Sequence, residues 1–141
     1  MATARLETFG LDLSGSNKWW GIAAGPDGKL YCAPHYATNI LVIDPASGTA
    51  QRTNMSASLS GSSKWVGIAV GRDGKLYCAP YNATDILVID PATGTARRTN
   101  MGANLSGTGK WAGIAAGPDG KLYCASYNAR EILIINPATG T

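Results

Sequence analysis

The sequence predicts an all-β fold built from three copies of one four-stranded unit, and three observations carry that reading. The chain repeats itself: Trp19, Trp65 and Trp111 stand 46 residues apart, and Cys32, Cys78 and Cys124 keep the same spacing. A fixed period of that length belongs to repeat architectures. Gly and Pro interrupt the chain about every ten residues, which leaves room for strands and turns but not for helices of ordinary length. No segment carries apolar residues at a 3.6-residue period over three turns.

The unit boundaries follow from the match. Thr3-Ala4-Arg5 aligns with Thr49-Ala50-Gln51 and with Thr95-Ala96-Arg97, so the repeats run 3–48, 49–94 and 95–140. Between 64–94 and 110–140, 23 of 31 positions are identical, and the chain starts and stops at the same point of the repeat. Such likeness reads as recent amplification, reconstruction or design, and the matching ends read as a cut or built array.

Within a unit, Trp65 to Val70 is an apolar segment rich in small residues, followed by Gly71-Arg72-Asp73-Gly74. Its equivalents are Gly25-Pro26-Asp27-Gly28 and Gly117-Pro118-Asp119-Gly120. Pro presets the first turn dihedral and Gly supplies a positive φ, so a tight hairpin is expected with the Asp capping its own backbone. Lys75 to Ala79 is the return strand, and Pro80 to Thr84 a polar loop. Ile86-Leu87-Val88-Ile89 then runs apolar without alternation, which predicts burial on both faces. Asp90-Pro91-Ala92-Thr93-Gly94 is a second turn, Thr95 to Met101 a mostly polar outer strand, and Gly102 to Gly109 a loop leading back to Lys110-Trp111.

Four short strands graded from Gly and Ala, through Leu, Tyr and Cys, to Ile and Val, and finally to Thr and Arg describe one blade of a β-propeller. Small residues fit the crowded axis, apolar strands pack against neighbouring blades, and the polar strand meets solvent. The unit Lys-Trp-x-Gly-Ile-Ala-x-Gly-x-Asp-Gly-Lys-Leu-Tyr-Cys-Ala, followed by Ile-Leu-Val-Ile-Asp-Pro-Ala-Thr-Gly-Thr, resembles highly repetitive β-propellers with a Gly-Lys-(Ile/Leu)-Tyr strand and a Val-Ile-Asp-Pro strand, and symmetric designer propellers made from them. The resemblance spans the chain and implies fold far more than function, because propellers host many activities. The Gly-His and Trp-Asp pairs of WD40 blades and the double glycine of kelch blades are missing from these motifs.

Three blades are too few to close a ring. The expectation is therefore a homo-oligomer closed by strand exchange between chains, with Thr3 to Phe9 of one copy completing the blade begun by Lys110 to Asn136 of another. A homotrimer with nine blades is the preferred form and a homodimer with six the alternative.

Composition narrows the function classes. The 12 Lys and Arg exceed the 9 Asp and Glu by three, and Arg5, Arg52, Arg97 and Arg98 fall on the outer segments of the repeat without forming a patch. They are expected as a solvated rim, with no nucleic-acid partner. No apolar run has the length of a membrane span, and no leader-like segment opens the chain. The three cysteines, one per repeat, are expected as buried free thiols, which suits a reducing compartment.

No constellation of catalytic or metal-binding residues is evident, and no cofactor is implied. His35 replaces Tyr81 and Tyr127 of the other units and is expected as a surface substitution. The inner segments offer Gly, Ile, Ala and Val, where an enzyme would need convergent polar groups. Recognition chemistry is concentrated in two loops expected on one face, which suggests Trp19, Trp65, Trp111, Tyr36, Asn82 and Asn128 as candidate ligand-binding residues. Ring faces for CH groups and amides for hydroxyls would suit glycans, although a Trp at the entry of every inner strand also suits packing between blades. Two readings result: a self-assembling structural module without catalytic activity, built or reconstructed, and a multivalent lectin-like module.

Overall fold

A computed structural model describes residues 2–140. Among them the first sheet holds β1 (Trp19–Ala24), β2 (Leu30–Pro34), β3 (Ile40–Asp44) and β4 (Thr49–Thr53). The second holds β5 (Trp65–Val70), β6 (Leu76–Pro80), β7 (Ile86–Asp90) and β8 (Thr95–Thr99), and the third β9 (Trp111–Ala116), β10 (Leu122–Ser126) and β11 (Leu133–Ile135). Within each sheet the strands pair antiparallel in chain order. Each sheet is one blade. The sequence repeats begin one strand earlier than the blades, since the polar strand that opens a repeat closes the preceding sheet.

The third blade has three strands, as expected of a chain whose last blade lacks its own outer strand. Residues Thr3 to Phe9, expected as a strand, form none in the single chain, and Leu6 is fully solvent-exposed. A β conformation is held by ladder hydrogen bonds to a neighbour, and within one chain this segment pairs with no strand.

The hairpin turns form as their residues require. Asp27 Oδ1 accepts from Lys29 N and Asp73 Oδ1 from Lys75 N. The other carboxylate oxygen accepts from the tyrosine four residues on, Tyr31 to Asp27 at 2.6 Å, Tyr77 to Asp73 at 2.5 Å, and Tyr123 to Asp119. In the second turn Asp44 and Asp90 accept from Ala46 N and Ala92 N.

The inner strands come closest to one another at a line of glycines. The register slips in β1 and β5 just where Gly21 and Gly67 take φ of +93° and +91°. A Cβ on Gly21 would lie 2.9 Å from Gly67 Cα, and one on Gly67 2.8 Å from Gly113 Cα. Only glycine satisfies both the dihedral and the approach, and this contact sets how tightly successive blades wedge together.

The core lies in the two junctions between blades. Tyr31, Ala33, Ile40 and Val42 of the first blade pack on Trp65, Ile68, Leu76 and Leu87 of the second, with Met55 and Leu59 from the connecting loop. Tyr77, Ala79, Ile86 and Val88 meet Trp111, Leu122, Leu133 and Ile135 in the same way. The apolar run Ile86–Ile89 is buried throughout, as the absence of alternation predicts. Cys32, Cys78 and Cys124 are free and buried. Loss of solvent around the thiols pushes Cys32 up to about 11 and Cys124 up to about 12, so all of them stay protonated and unreactive at neutral pH.

Candidate functional site

The longer loops and the starts of the inner strands gather at each junction, and there the most specific chemistry of the repeat is a lysine. Lys64 Nζ donates to three backbone carbonyls: His35 and Ala37 of the preceding blade, at 3.0 and 2.9 Å, and Gly61 of its own loop, at 2.7 Å. Lys110 repeats this with Tyr81, Ala83 and Gly107, at 3.1, 2.8 and 2.6 Å. Both lysines are buried, and their backbone N–H groups also donate to His35 O and Tyr81 O. An ammonium has three donors, and here three carbonyls take them. Burial lowers the Lys64 ammonium to about 8, with the Arg98 charge acting the same way, and burial lowers Lys110 as well.

The candidate residues occupy varied settings. Trp65 is fully buried and Trp111 nearly so, with Nε1 donating to Asp85 O and Glu131 O at 2.9 and 2.8 Å. Their rings face the protein interior. Trp19 makes the equivalent bond to Asn39 O at 2.9 Å but is only half-buried. Asn82 Oδ1 accepts from Gly109 N at 2.7 Å, fastening one blade's loop to the next. Tyr36 and Asn128 are exposed. The six are therefore distributed between core, seam and surface and do not converge on one pocket.

His35 is not on the surface, contrary to expectation: it is 4% exposed. The rings of Trp20, Tyr36 and Tyr81 stand 5.0, 5.2 and 6.0 Å from it and cover it, and its Nδ1 lies 3.2 Å from Trp65 O. Desolvation lowers its pKa and favours the neutral imidazole. Tyr127 follows Tyr81 at 5.5 Å, so rings from all three blades form one arc.

Arg98 also departs from the expected solvated rim. Its Nε donates to both oxygens of Asp85 at 2.9 and 3.1 Å, its Nη1 to Ser58 O at 3.0 Å, and its guanidinium stands 5.0 Å over the Trp65 ring. In the first blade Arg52 Nη1 donates to Asp12 O at 3.3 Å. The third blade instead has a groove of about 740 Å³ lined by Leu105, Ser106, Trp111, Glu131 and Leu133. This groove is the place that the fourth strand's arginine fills in the second blade.

The lysine cages and the arginine pair escaped the sequence reading. Their signals are present in it: a glycine three residues before every Lys-Trp, at Gly15, Gly61 and Gly107, and an acidic residue or amide 20 positions after each Trp, at Asn39, Asp85 and Glu131. Among the described residues no group of three or more His, Cys, Asp or Glu is placed to hold a metal ion, and no helix is long and apolar enough to cross a membrane.

Comparison with solved structures places the architecture among β-propellers. The chain is similar to virginiamycin B lyase from Staphylococcus aureus, with a TM-score of 0.67 at 21% identity, covering 91% of this chain and 41% of that one. The extracellular domain of the one-component system BT4673 from B. thetaiotaomicron gives a TM-score of 0.67 at 20% identity, over 89% of this chain and 18% of that one. An auxiliary nutrient binding protein from Bacteroides ovatus gives 0.62 at 24%, over 92% of this chain and 32% of that one. No family model and no curated protein matches the chain. The likeness establishes the fold, an all-β propeller architecture, and the chain spans less than half the length of these proteins. Their roles differ from one another, as is common for this fold.

Proposed function

We propose that the chain is a structural module whose work is to close a propeller ring with further copies of itself, without catalytic activity of its own. The observation that carries this reading is the contrast between junctions and outer faces. Ile86 and Val88 are 1% and 2% exposed against the third blade, whereas their equivalents Ile132 and Ile134 are 64% and 49% exposed. On the opposite face Ile68 is 7% exposed and its equivalent Ile22 is 55% exposed. The two open faces are the two halves of a junction the chain already makes twice, so the occupant that fits each is another copy of the chain.

The groove beside β11 takes the Thr3 to Phe9 segment of that copy. In the complete blades Arg52 pairs with Leu41 and Arg98 with Leu87, while Ala50 pairs with Ile43 and Ala96 with Ile89. The same register sets Leu6 opposite Leu133 and Ala4 opposite Ile135. Three copies giving nine blades is the preferred ring, by resemblance to long arrays of similar blades, and two copies giving six is the alternative. The near-identity of the repeats supports a built, reconstructed or recently amplified array.

Native mass spectrometry tests the reading: a mass of three chains is expected, a mass of two corrects the ring size, and a single-chain mass at every concentration refutes ring closure. A second reading, glycan binding, is favoured by one observation, the exposure of the Trp20, Tyr36 and Tyr127 rings. A glycan array showing binding that is lost in Tyr36→Ala and Asn128→Ala would support it.

A further inference from the structure

We propose that Lys18 is the bolt between subunits, its ammonium entering a cage made by the backbone carbonyls of Tyr127 and Ala129 of a second copy. This rests on the ring reading above and names the contact that holds the ring together.

Lys18 is the repeat equivalent of Lys64 and Lys110, and Tyr127 and Ala129 are the equivalents of the acceptor pairs His35 and Ala37, and Tyr81 and Ala83. The local half of the cage is already formed. Lys18 Nζ donates to Gly15 O at 2.7 Å, as Lys64 does to Gly61 O at 2.7 Å and Lys110 to Gly107 O at 2.6 Å. The side chains fold back alike, since a Cβ on Gly15, Gly61 or Gly107 would meet the lysine Cδ at 3.7, 3.5 and 3.6 Å. What separates Lys18 from the other two is the preceding blade, so it is half-buried where they are buried.

The acceptor half is also in place. Tyr127 N and Ala129 N donate to Lys110 O at 2.8 and 3.1 Å, matching Tyr81 N and Ala83 N on Lys64 O at 2.9 and 3.2 Å. The loop carrying the two carbonyls therefore has the same fold in the third blade as in the second. A lysine bonded to three carbonyls at fixed directions is demanding in orientation, which makes the seam selective for a blade of this sequence. Asn128 reinforces it: Asn82, its equivalent, accepts from Gly109 N, and the position equivalent to Gly109 in the first repeat is Asn17.

The test is amine acylation of the full chain with an N-hydroxysuccinimide ester, read residue by residue by mass spectrometry beside the native mass. In the assembled particle Lys18 should react about tenfold more slowly than the turn lysines Lys29, Lys75 and Lys121, and so join Lys64 and Lys110. On dilution to single chains Lys18 alone should rise to the rate of the turn lysines. Lys18→Met should raise the dissociation constant of the ring by about tenfold or more, against an unchanged value for Lys29→Met. A particle of several chains in which Lys18 reacts as fast as Lys29 overturns the inference and leaves the ring reading standing. A single-chain mass at every concentration overturns both.

Discussion

The second blade and its two flanking blades have nearly the same sequence and different environments. Trp65 is 0% exposed, while Trp19, at the same repeat position, is half-buried and has its neighbour Trp20 53% exposed. Leu87 and Leu133 both point inward and are buried, yet Ile86 and Ile132 have parted company completely. Burial in this molecule is therefore a property of having a blade on each side and not of the unit itself. Each blade is a thin sheet with two apolar faces, and only the middle one has both covered.

That comparison makes strong predictions about matched substitutions, measured by urea denaturation of the single chain at concentrations too low for assembly. Trp65→Ala removes a fully enclosed ring, its Nε1 bond to Asp85 O and the platform under Arg98, and should cost about 3–5 kcal/mol. Trp19→Ala removes the same ring from a half-open face and should cost less than about half as much. Equal losses would mean that the first blade's outer face is covered in the single chain, against the arrangement described above.

Gly67 and Gly113 sharpen the same contrast at the backbone. Both have positive φ, +91° and +87°, but a Cβ on Gly67 would meet Gly113 Cα at 2.8 Å whereas one on Gly113 meets nothing within 4 Å. Gly113→Ala should cost about 1 kcal/mol from the dihedral alone in the single chain. Gly67→Ala adds backbone displacement at a backbone-to-backbone contact between blades and should cost about 3 kcal/mol. If the proposed ring forms, Gly113→Ala should nevertheless abolish it in native mass spectra, because Gly21 of the next copy would come against the added Cβ.

How much of this could be read from the sequence depends on whether a residue acts within its own blade or across a seam. The strands Trp65–Val70 and Ile86–Asp90, the Asp-capped turns and the buried thiols follow from local pattern, and the structure has them. The burial of His35 is not legible in its own repeat alone, because it comes from Trp20 and from Tyr81 of the next blade. Lys64 and Arg98 look like surface charges by composition, since nothing in one repeat announces that carbonyls 27 and 29 residues earlier will surround the ammonium. The candidate residues divide on the same principle: Trp65, Trp111 and Asn82 serve the seams within the chain, and Tyr36 and Asn128 are exposed in the single chain.

Leu6 offers a smaller and opposite perturbation, one that should strengthen a seam. Arg98 of the second blade pairs with Asp85 and covers Trp65, and the third blade supplies Glu131 and Trp111 at those positions. The proposed register puts Leu6 where Arg98 stands. Leu6→Arg should therefore tighten assembly by about fivefold, roughly 1 kcal/mol for a partly exposed pair with a ring beneath it. Analytical ultracentrifugation reads the change, and weaker assembly would argue against that register.

The seam between the first two blades should also show a pH dependence of its own. Burial lowers the Lys64 ammonium from 10.5 to about 8 in the folded chain, while in the unfolded chain it keeps its ordinary value. Between those two values the unfolded state binds more protons than the folded one, so this group's contribution to stability rises with pH across that window and is flat below it. The buried thiols act in the reverse sense, because Cys32 and Cys124 hold their protons up to about 11 and about 12 when folded and release them near 9 when unfolded. The raw stability curve mixes the two, so the informative quantity is the difference between wild type and Lys64→Met. Lys64→Met leaves the carbonyls of His35 and Ala37 without their donor and should be less stable at every pH, by about 1–3 kcal/mol. The wild-type curve should rise relative to the variant's between pH 8 and 10.5, and denaturant midpoints taken every half unit would show it. A difference that stays constant across the window would mean that the three carbonyls hold the ammonium charged against the pull of desolvation, and the cage would then be a stronger cation site than burial alone allows.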